Sequence, residues 1–329
     1  MDLKSGYPYW SVRNGLIQAF PPLEADLHCD VLVVGGGITG ALIADELSAH
    51  GHGVTVIEQR DIGWGSTAAS TALLQYEIDT HLIDLARQYG EDDAALAYEA
   101  CAQALPQLRH VTRGLSGVDF KQMDSVYVAS KSRHVPVLQA EGAARRQHGL
   151  DARWLDRDAL RERMGMDGDG ALLTRQAARV DPYCLTYRLL ERVKRRGGQV
   201  HDRTVLHSLQ PTARGVTART EDGMQVRAGH VVLAQGYANQ RWLDTRVARN
   251  RSSYALITDP LHADELGPLA TTMVWESARP YLYLRSTGDG RLLLGGLDDA
   301  VDVPARRDRR VDGKSKKLMK GLKHWFPAL

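Results

Sequence analysis

A glycine-rich turn directly after a short apolar run constrains this chain more than any other feature of its sequence. Val31–Val34 is continuously apolar, as a strand buried on both faces of a parallel sheet requires. Gly35–Gly40 follows with the sequence G-G-G-I-T-G, which matches G-x-G-x-x-G. Apolar residues then recur at helical spacing up to Gly51, and Val54–Ile57 forms a second apolar run. The pattern predicts a β-α-β unit with the glycines at the start of its helix.

Small residues at this turn suit a ligand that carries a diphosphate, because they let it approach backbone N–H groups at the positive end of the helix. Glu58 closes the second strand. A carboxylate at that distance from the glycines accepts hydrogen bonds from a ribose diol and repels a ribose 2′-phosphate, so NADP is disfavoured. FAD and NAD present the same ADP half and both stay open. Close packing of the helix on the strand, without a ligand, is the alternative explanation of the glycines.

Three segments resemble one known family. The run Glu58–Ser70, E-Q-R-D-I-G-W-G-S-T-A-A-S, resembles the segment after the second strand in FAD-dependent oxidoreductases of the D-amino-acid oxidase and glycine/sarcosine oxidase superfamily. Val180–Pro182, with the helix that follows and Val205, resembles the central block of that family. His230–Gly236 resembles its strand that ends in A-x-G.

The leader of the chain narrows the resemblance to a subgroup. Tyr9-Trp10 and Pro21-Pro22-Leu23 resemble the leader of the amine oxidase-like members, such as the γ-glutamylputrescine type. The resemblance implies an α/β fold with a discontinuous Rossmann-like FAD-binding domain and a mixed-sheet α+β substrate domain. It implies FAD as cofactor and oxidation of the C–N bond of a small amine or amino acid, with hydride transfer to flavin and hydrolysis of the imine. Oxygen or an external electron acceptor then takes the electrons.

The glycine turn and the resemblance together assign a set of cofactor-binding residues. They are Gly35, Gly37, Ile38, Thr39, Gly40, Glu58, Gln59, Arg60, Gly65, Ser66, Thr67, Ser70, Val205, Ala234 and Gly236.

Four further residues are predicted to be catalytic, all from the resemblance. The strand that ends at Arg285 resembles one that holds a substrate carboxylate through arginine, and strand alternation places Tyr281, Tyr283 and Arg285 on one face. A solvent-facing arginine at a hairpin mouth is the alternative for Arg285. Tyr254 and Tyr76 are candidate walls of the flavin pocket, and ordinary core tyrosines are the alternative for both.

Strands and helices are mixed along the whole chain, and the predicted domains follow from their order. We expect a FAD-binding domain from residues 1–80 and 151–240, a substrate domain from residues 81–150 and 241–310, and a C-terminal helix from residues 311–329.

Composition argues against several other classes of function. The 42 Lys and Arg against 40 Asp and Glu leave a formal charge of +2, too near balance to indicate nucleic acid as a partner. Cys29, Cys101 and Cys184 stand far apart and no histidine pair has a metal-site spacing, so neither a disulfide scaffold nor a metal site is predicted. No secretory signal and no apolar run of roughly 20 residues is found, so a cytoplasmic protein without an integral membrane segment is expected. The oligomeric state stays open.

The resemblance breaks off at the carboxyl end. In the family a last strand and a Gly-rich turn follow a helix that ends in a Phe-Pro-like sequence, and this sequence stops at Phe326–Leu329. We therefore expect the chain to lack the C-terminal flavin-binding segment. Two alternatives to an active FAD-dependent oxidoreductase stay open, namely a truncated, inactive flavin-binding remnant and an NAD-dependent dehydrogenase with a single Rossmann unit.

Overall fold

The computed structural model describes residues 4–301 and 303–329. Their helices are α1 (Tyr9–Asn14), α2 (Ile38–Ala49), α3 (Ser66–Ala69), α4 (Leu82–Tyr89), α5 (Glu91–Thr112), α6 (Val135–Gln147), α7 (Arg157–Met164), α8 (Pro182–Arg195), α9 (Ala263–Leu266), α10 (Pro304–Asp308) and α11 (Val311–Trp325), with 3₁₀ helices at Ser132–His134, Gly236–Trp242 and Gly267–Ala270. Their strands are β1 (Leu27–Val34), β2 (Val54–Ile57), β3 (Leu73–Gln75), β4 (Lys121–Val128), β5 (Arg153–Leu155), β6 (Ala171–Arg179), β7 (Gln199–His201), β8 (Leu206–Thr212), β9 (Gly215–Thr220), β10 (Gln225–Leu233), β11 (Ser252–Ile257), β12 (Thr272–Glu276), β13 (Leu282–Ser286) and β14 (Leu292–Asp299). The predicted α/β class is confirmed. No helix in these ranges is long and apolar enough to cross a membrane.

The chain divides into two compact units. Unit 1 comprises the described residues through Ser70, together with Leu115–Val118 and Asp181–Asn250. Unit 2 comprises Thr71–Gly114, Asp119–Val180 and Arg251–Leu329. Unit 1 is therefore discontinuous in sequence.

The predicted domain boundaries need a correction in four places. Residues 71–80 and 151–180 belong to unit 2, and residues 115–118 and 241–250 belong to unit 1. The physical reason for the largest shift is strand pairing, because β6 pairs antiparallel with β3, β4 and β5, which all lie in unit 2.

Unit 1 is built on a six-stranded sheet with the order β7-β2-β1-β10-β9-β8. The first four strands are parallel neighbours, and β10, β9 and β8 form an antiparallel meander. Val31–Val34 are all buried, which explains the continuous apolar run in a strand covered on both faces. Asp181 caps α8 by accepting a hydrogen bond from the Cys184 N–H at 2.9 Å, as the Asp-Pro sequence predicts.

Unit 2 is built on an eight-stranded mixed sheet. Its order is β11-β14-β13-β12-β4-β6-β3, with β5 added on β6, and β12 and β4 are its parallel pair. Strand β13 alternates as predicted. Leu282 and Leu284 pack into an apolar cluster on one face, and Tyr283 packs against Tyr127 and Trp275 on the other.

A fully buried charge triad lies in unit 2. Arg145 Nε donates to Glu141 Oε1 at 2.8 Å, and Arg145 Nη1 lies 3.8 Å from Glu77 Oε1. Glu141 also accepts hydrogen bonds from the Leu82 and Ile83 amides. Burial acts to raise the pKa of Glu141, but Arg145 and these amides hold it below its ordinary value. Burial raises the pKa of Glu77 to about 7, because one guanidinium cannot fully compensate two buried carboxylates.

This triad predicts a stability that falls as the pH rises. The folded chain holds a proton on Glu77 that the unfolded chain releases near pH 4.5, so the stabilising contribution is complete below that pH and is lost as the pH rises through about 7. The full contribution is about 3 kcal/mol. Denaturant unfolding from pH 4.5 to 8 should show this loss in the wild type and a flatter profile in Glu77→Gln. Parallel profiles for the two proteins would contradict the assignment.

Candidate functional site

The carboxyl ends of three parallel strands meet at one edge of the unit 1 sheet. Beyond β1, Gly35 N donates to Ile57 O at 2.8 Å, and Ala234 N donates to Val34 O at 2.7 Å. The glycine turn, Glu58 and the turn after β10 therefore lie side by side. Ligands of open parallel sheets bind outside the carboxyl ends of the strands, which makes this edge the candidate site.

A cavity of about 240 Å³ opens at this edge. Its walls come entirely from unit 1 and consist of Val34, Gly35, Gly37, Ile38, Thr39, Ile57, Glu58, Gln59, Arg60, Gly63, Trp64, Gly65, Ser66, Thr67, Ser70, Thr204, Val205, Leu206, Ala234, Gln235, Gly236 and Arg241. All the predicted cofactor-binding residues except Gly40 are among them. The structure thus brings together segments that are far apart in the sequence.

The glycines of the turn serve two different purposes. A Cβ at Gly40 would lie 1.9 Å from Gly35 O, and one at Gly35, whose φ is +116°, would lie 2.4 Å from Ala234 O. Both glycines are required by close packing of backbone on backbone. Gly37 is different, because it lines the cavity. A Cβ added at Gly37 would meet only Thr67 Oγ1, at 3.1 Å. The prediction that Gly40 binds the ligand is therefore corrected, since Gly40 permits the approach of the helix to the turn.

Glu58 is oriented by backbone amides at the end of β2. Its Oε2 accepts from Gly36 N at 2.8 Å, and its Oε1 accepts from Arg60 N at 3.0 Å. Burial raises the pKa of Glu58, and the two amides counteract this effect. An ionised carboxylate has about four acceptor sites, so each oxygen keeps capacity for a ligand hydroxyl.

The hydroxyl-rich loop after Glu58 folds back onto the start of α2. Thr67 is buried, and its Oγ1 accepts from Ile38 N at 3.0 Å. Gly63 N donates to Gly36 O, and Ala68 N donates to Gly63 O, both at 3.0 Å. This folding places Ser66 and Ser70 on the cavity wall beside the helix N-terminus.

Two arginines give the cavity a positive wall. Arg60 was predicted, and its Nε is buried without a hydrogen bond to any residue of the described ranges. Arg241 was not predicted. It lies in the 3₁₀ helix after β10, and its guanidinium stacks on the Trp242 ring at 4.7 Å. Two guanidinium groups beside the N-terminus of α2 favour a ligand with negative charge.

The sequence offered uneven signals for the lining residues that it missed. Three of them are next in the sequence to a predicted cofactor-binding residue, which is a signal that could have identified them: Trp64, Thr204 and Gln235. Arg241 carried no signal, because its place on the wall depends on the path of the chain after β10.

The comparison with protein families decides what kind of site this is. A family model described as FAD dependent oxidoreductase matches residues 30–329. The chain belongs to this family. The predicted family and the predicted FAD cofactor are thereby confirmed, and the single-unit NAD-dependent dehydrogenase is not supported.

Several known proteins are similar to this chain. A Bacillus subtilis (strain 168) protein named for a Rieske 2Fe-2S iron-sulfur centre is 28% identical over 199 residues, or 60% of this chain and 38% of that protein. γ-Glutamylputrescine oxidoreductase of Escherichia coli (strain K12) is 26% identical over 88% of this chain and 69% of its own length. Glycine oxidase of Geobacillus kaustophilus (strain HTA426) is 25% identical over 91% of this chain and 77% of its own length. The crystal structure of glycine oxidase from G. kaustophilus superposes with a TM-score of 0.71 at 23% identity over 91% of this chain and 78% of that one, which confirms the fold.

The cavity residues fit FAD. Gly37 in the glycine turn leaves room for a diphosphate. The buried Nε of Arg60 has no hydrogen-bond acceptor among the described residues, so it can donate to a ligand. The carboxylate oxygens of Glu58 can accept hydrogen bonds from a ribose. That these particular residues contact FAD stays a prediction.

Arg285 does not lie where the resemblance implies. It is fully buried in unit 2, and its guanidinium donates to the backbone carbonyls of Thr71, Val180 and Ser286 at 2.7–3.0 Å. Neither a substrate-binding nor a solvent-facing arginine is therefore present at this position. A buried guanidinium must fill its donors, and in this case backbone oxygens fill them.

Two of the three predicted tyrosines are core residues. Tyr76 is fully buried and donates to Asp151 O at 2.7 Å, and burial raises its pKa. Tyr254 is buried, and its hydroxyl lies 3.3 Å from Asp299 Oδ2. Tyr283 is only half-buried; its ring centroid lies 5.5 Å from that of Tyr281, and burial raises its pKa to about 12. Only Tyr283 keeps a surface that a substrate could contact.

The two roles of the glycines can be separated by alanine substitution. Gly37→Ala should fold normally but weaken FAD binding by at least about tenfold, because its methyl group occupies the cavity wall. Gly40→Ala should lower the free energy of unfolding of the apoprotein by at least about 2 kcal/mol, because its methyl group meets backbone. FAD titration and denaturant unfolding of both variants check this. Equal losses of stability in the two variants would show that Gly37 is also a packing residue.

The structural role of Arg285 predicts a stability effect. Arg285→Lys should lower the free energy of unfolding of the apoprotein by about 3 kcal/mol, because an ammonium cannot serve all three carbonyls. Arg153→Lys, at the exposed first position of β5, is the matched control and should change little. Denaturant unfolding measures both. Unchanged stability in Arg285→Lys would restore the substrate role.

Proposed function

We propose that this chain is a FAD-dependent oxidoreductase that oxidises the C–N bond of a small amine or amino acid. The observation that carries the proposal is the family match over residues 30–329, together with the cavity at the carboxyl ends of the parallel strands of unit 1. The residues that line this cavity fit a dinucleotide. The names of the relatives support the substrate class, since they include glycine oxidase, γ-glutamylputrescine oxidoreductase and 4-methylaminobutanoate oxidase.

The chain's own residues would bind and orient the cofactor. The N-terminus of α2 with Arg60 and Arg241 would neutralise the diphosphate, and Glu58 would accept from the ribose. The same cavity is also lined by the other predicted cofactor-binding residues, namely Gly35, Gly37, Ile38, Thr39, Gln59, Gly65, Ser66, Thr67, Ser70, Val205, Ala234 and Gly236. Bound FAD would supply an acceptor for the hydride on the carbon next to the substrate nitrogen, and water would hydrolyse the imine product.

The two units would bind different molecules. Unit 1 carries the dinucleotide cavity, and we assign the substrate to unit 2. On its β13 face Tyr281 donates to Asp79 Oδ1 at 3.2 Å, and Arg279 stacks on the Tyr281 ring at 4.8 Å. Tyr283, half-buried beside this group, is the substrate contact that we retain. Oxygen or an external acceptor would reoxidise the flavin.

Visible absorbance of the purified chain tests the proposal. We expect a flavin spectrum that bleaches on anaerobic addition of a pool of glycine, sarcosine, γ-glutamylputrescine and other amines and amino acids, because hydride transfer reduces the flavin. The pool can then be divided until one compound accounts for the bleaching. Gly37→Ala, with its lower FAD occupancy, is the control and should bleach in proportion to its bound flavin. A flavin spectrum that no compound bleaches would instead support a flavin-binding remnant, and a chain that takes up no flavin would overturn the proposal.

A further inference from the structure

Residues 4–23, called the strap below, run along unit 1 outside its sheet and reach both sides of the cavity. The strap contains α1 and three prolines, and Trp10 and Phe20 within it are each 1% exposed. Such burial shows that the segment is packed on the unit at Trp10 and at Phe20.

The strap holds the hydroxyl-rich loop through Trp10. Trp10 Nε1 donates to Ser70 O at 2.7 Å, and Ser70 directly follows α3 and lines the cavity. Helix α3 has only four residues, so it cannot hold its own geometry. A buried indole donor therefore fixes the far end of this loop, as Thr67 fixes its middle.

The strap also covers Trp64, another residue of the same wall. Lys4 Nζ lies 3.1 Å from the centroid of the Trp64 ring, and the Tyr7 ring meets it edge-on at 5.7 Å. A cation over the ring and an aromatic edge against it hold the indole in one orientation.

The second wall of the cavity is held by the other end of the strap. Leu23 N donates to Thr204 Oγ1, and Phe20 N donates to Asp202 Oδ2, both at 3.0 Å. Thr204 lines the cavity, and its own amide donates to Glu58 O at 2.7 Å. One continuous segment thus touches the loop after β2 and the segment before β8.

We propose that the strap fixes both walls of the dinucleotide cavity and so sets how tightly FAD is held, with Trp10 as its main positioning residue. The inference rests on the assignment of this cavity to FAD. Loops that are ordered before binding do not incur the entropic cost of ordering when the ligand arrives. The Trp10 hydrogen bond therefore contributes to FAD affinity without Trp10 contacting FAD.

Trp10→Phe tests this, because it keeps an aromatic ring in the pocket and removes the N–H donor. FAD is titrated into apoprotein and followed by flavin fluorescence, and the free energy of unfolding of the apoprotein is measured in parallel. The dissociation constant of FAD should rise by about 3- to 10-fold, the value of one lost hydrogen bond. Val12→Ala, on the exposed side of α1, should leave it unchanged.

A second control separates positioning from loss of stability. Val226→Ala removes a fully buried sheet residue that does not line the cavity. If Val226→Ala destabilises the apoprotein at least as much as Trp10→Phe and keeps wild-type FAD affinity, the strap acts on the cavity. If affinity falls equally in both variants, or Trp10→Phe binds FAD like wild type, the strap proposal is overturned. A wild-type chain that binds no FAD would overturn the assignment of the cavity, and the strap proposal with it.

Discussion

The parallel pairing of β2, β1 and β10 is the constraint on which the candidate site depends. Strand β10 follows β1 only after all of β2–β9, yet it pairs with β1 over seven residues. Because parallel strands end at the same edge, this pairing places the turn after β10 against the glycine turn after β1. The pairing and the glycines require each other, since any side chain at Gly35 would meet Ala234 O. The glycine turn after β1 also fixes the position of the N-terminus of α2, the helix end that favours anions.

The sheet fixes only one part of the cavity, and the other walls need separate support. The loop from Gly63 to Ser70 makes no strand pairing and is held by single hydrogen bonds, such as Thr67 to Ile38 and Trp10 to Ser70. Segments with few such bonds are the ones that open most readily. The affinity of this kind of site therefore depends on residues that never touch the ligand as well as on those that do.

The sequence was sufficient for the features whose causes are local. Strand, glycine turn, helix and Glu58 are consecutive, so their pattern predicts the β-α-β unit, and this pattern together with the family resemblance predicts fourteen of the residues around the cavity. Features that depend on distant pairing could not be predicted in the same way. The apolar pattern of residues 171–179 indicates a strand but not its neighbours, so the segment was assigned to the wrong unit. Arg241 was missed for the same reason, because its position follows from where β10 ends in space.

Arg285 shows why the type of a charged residue does not reveal its role. Strand alternation correctly placed it on the face of Tyr283, but that face is fully buried at Arg285. Two of the carbonyls that it binds belong to Thr71, the first residue of one segment of unit 2, and Val180, the last residue of the next segment. A guanidinium whose donors are filled by backbone holds the chain in place, and the cost of burying it is offset only while those bonds persist. Arg60 differs, since its buried Nε meets no acceptor in the described ranges, and an unfilled donor on a cavity wall is what an anionic ligand can satisfy. The bonding of the donors, which the sequence does not show, distinguishes the structural arginine from the one that we propose as a ligand contact.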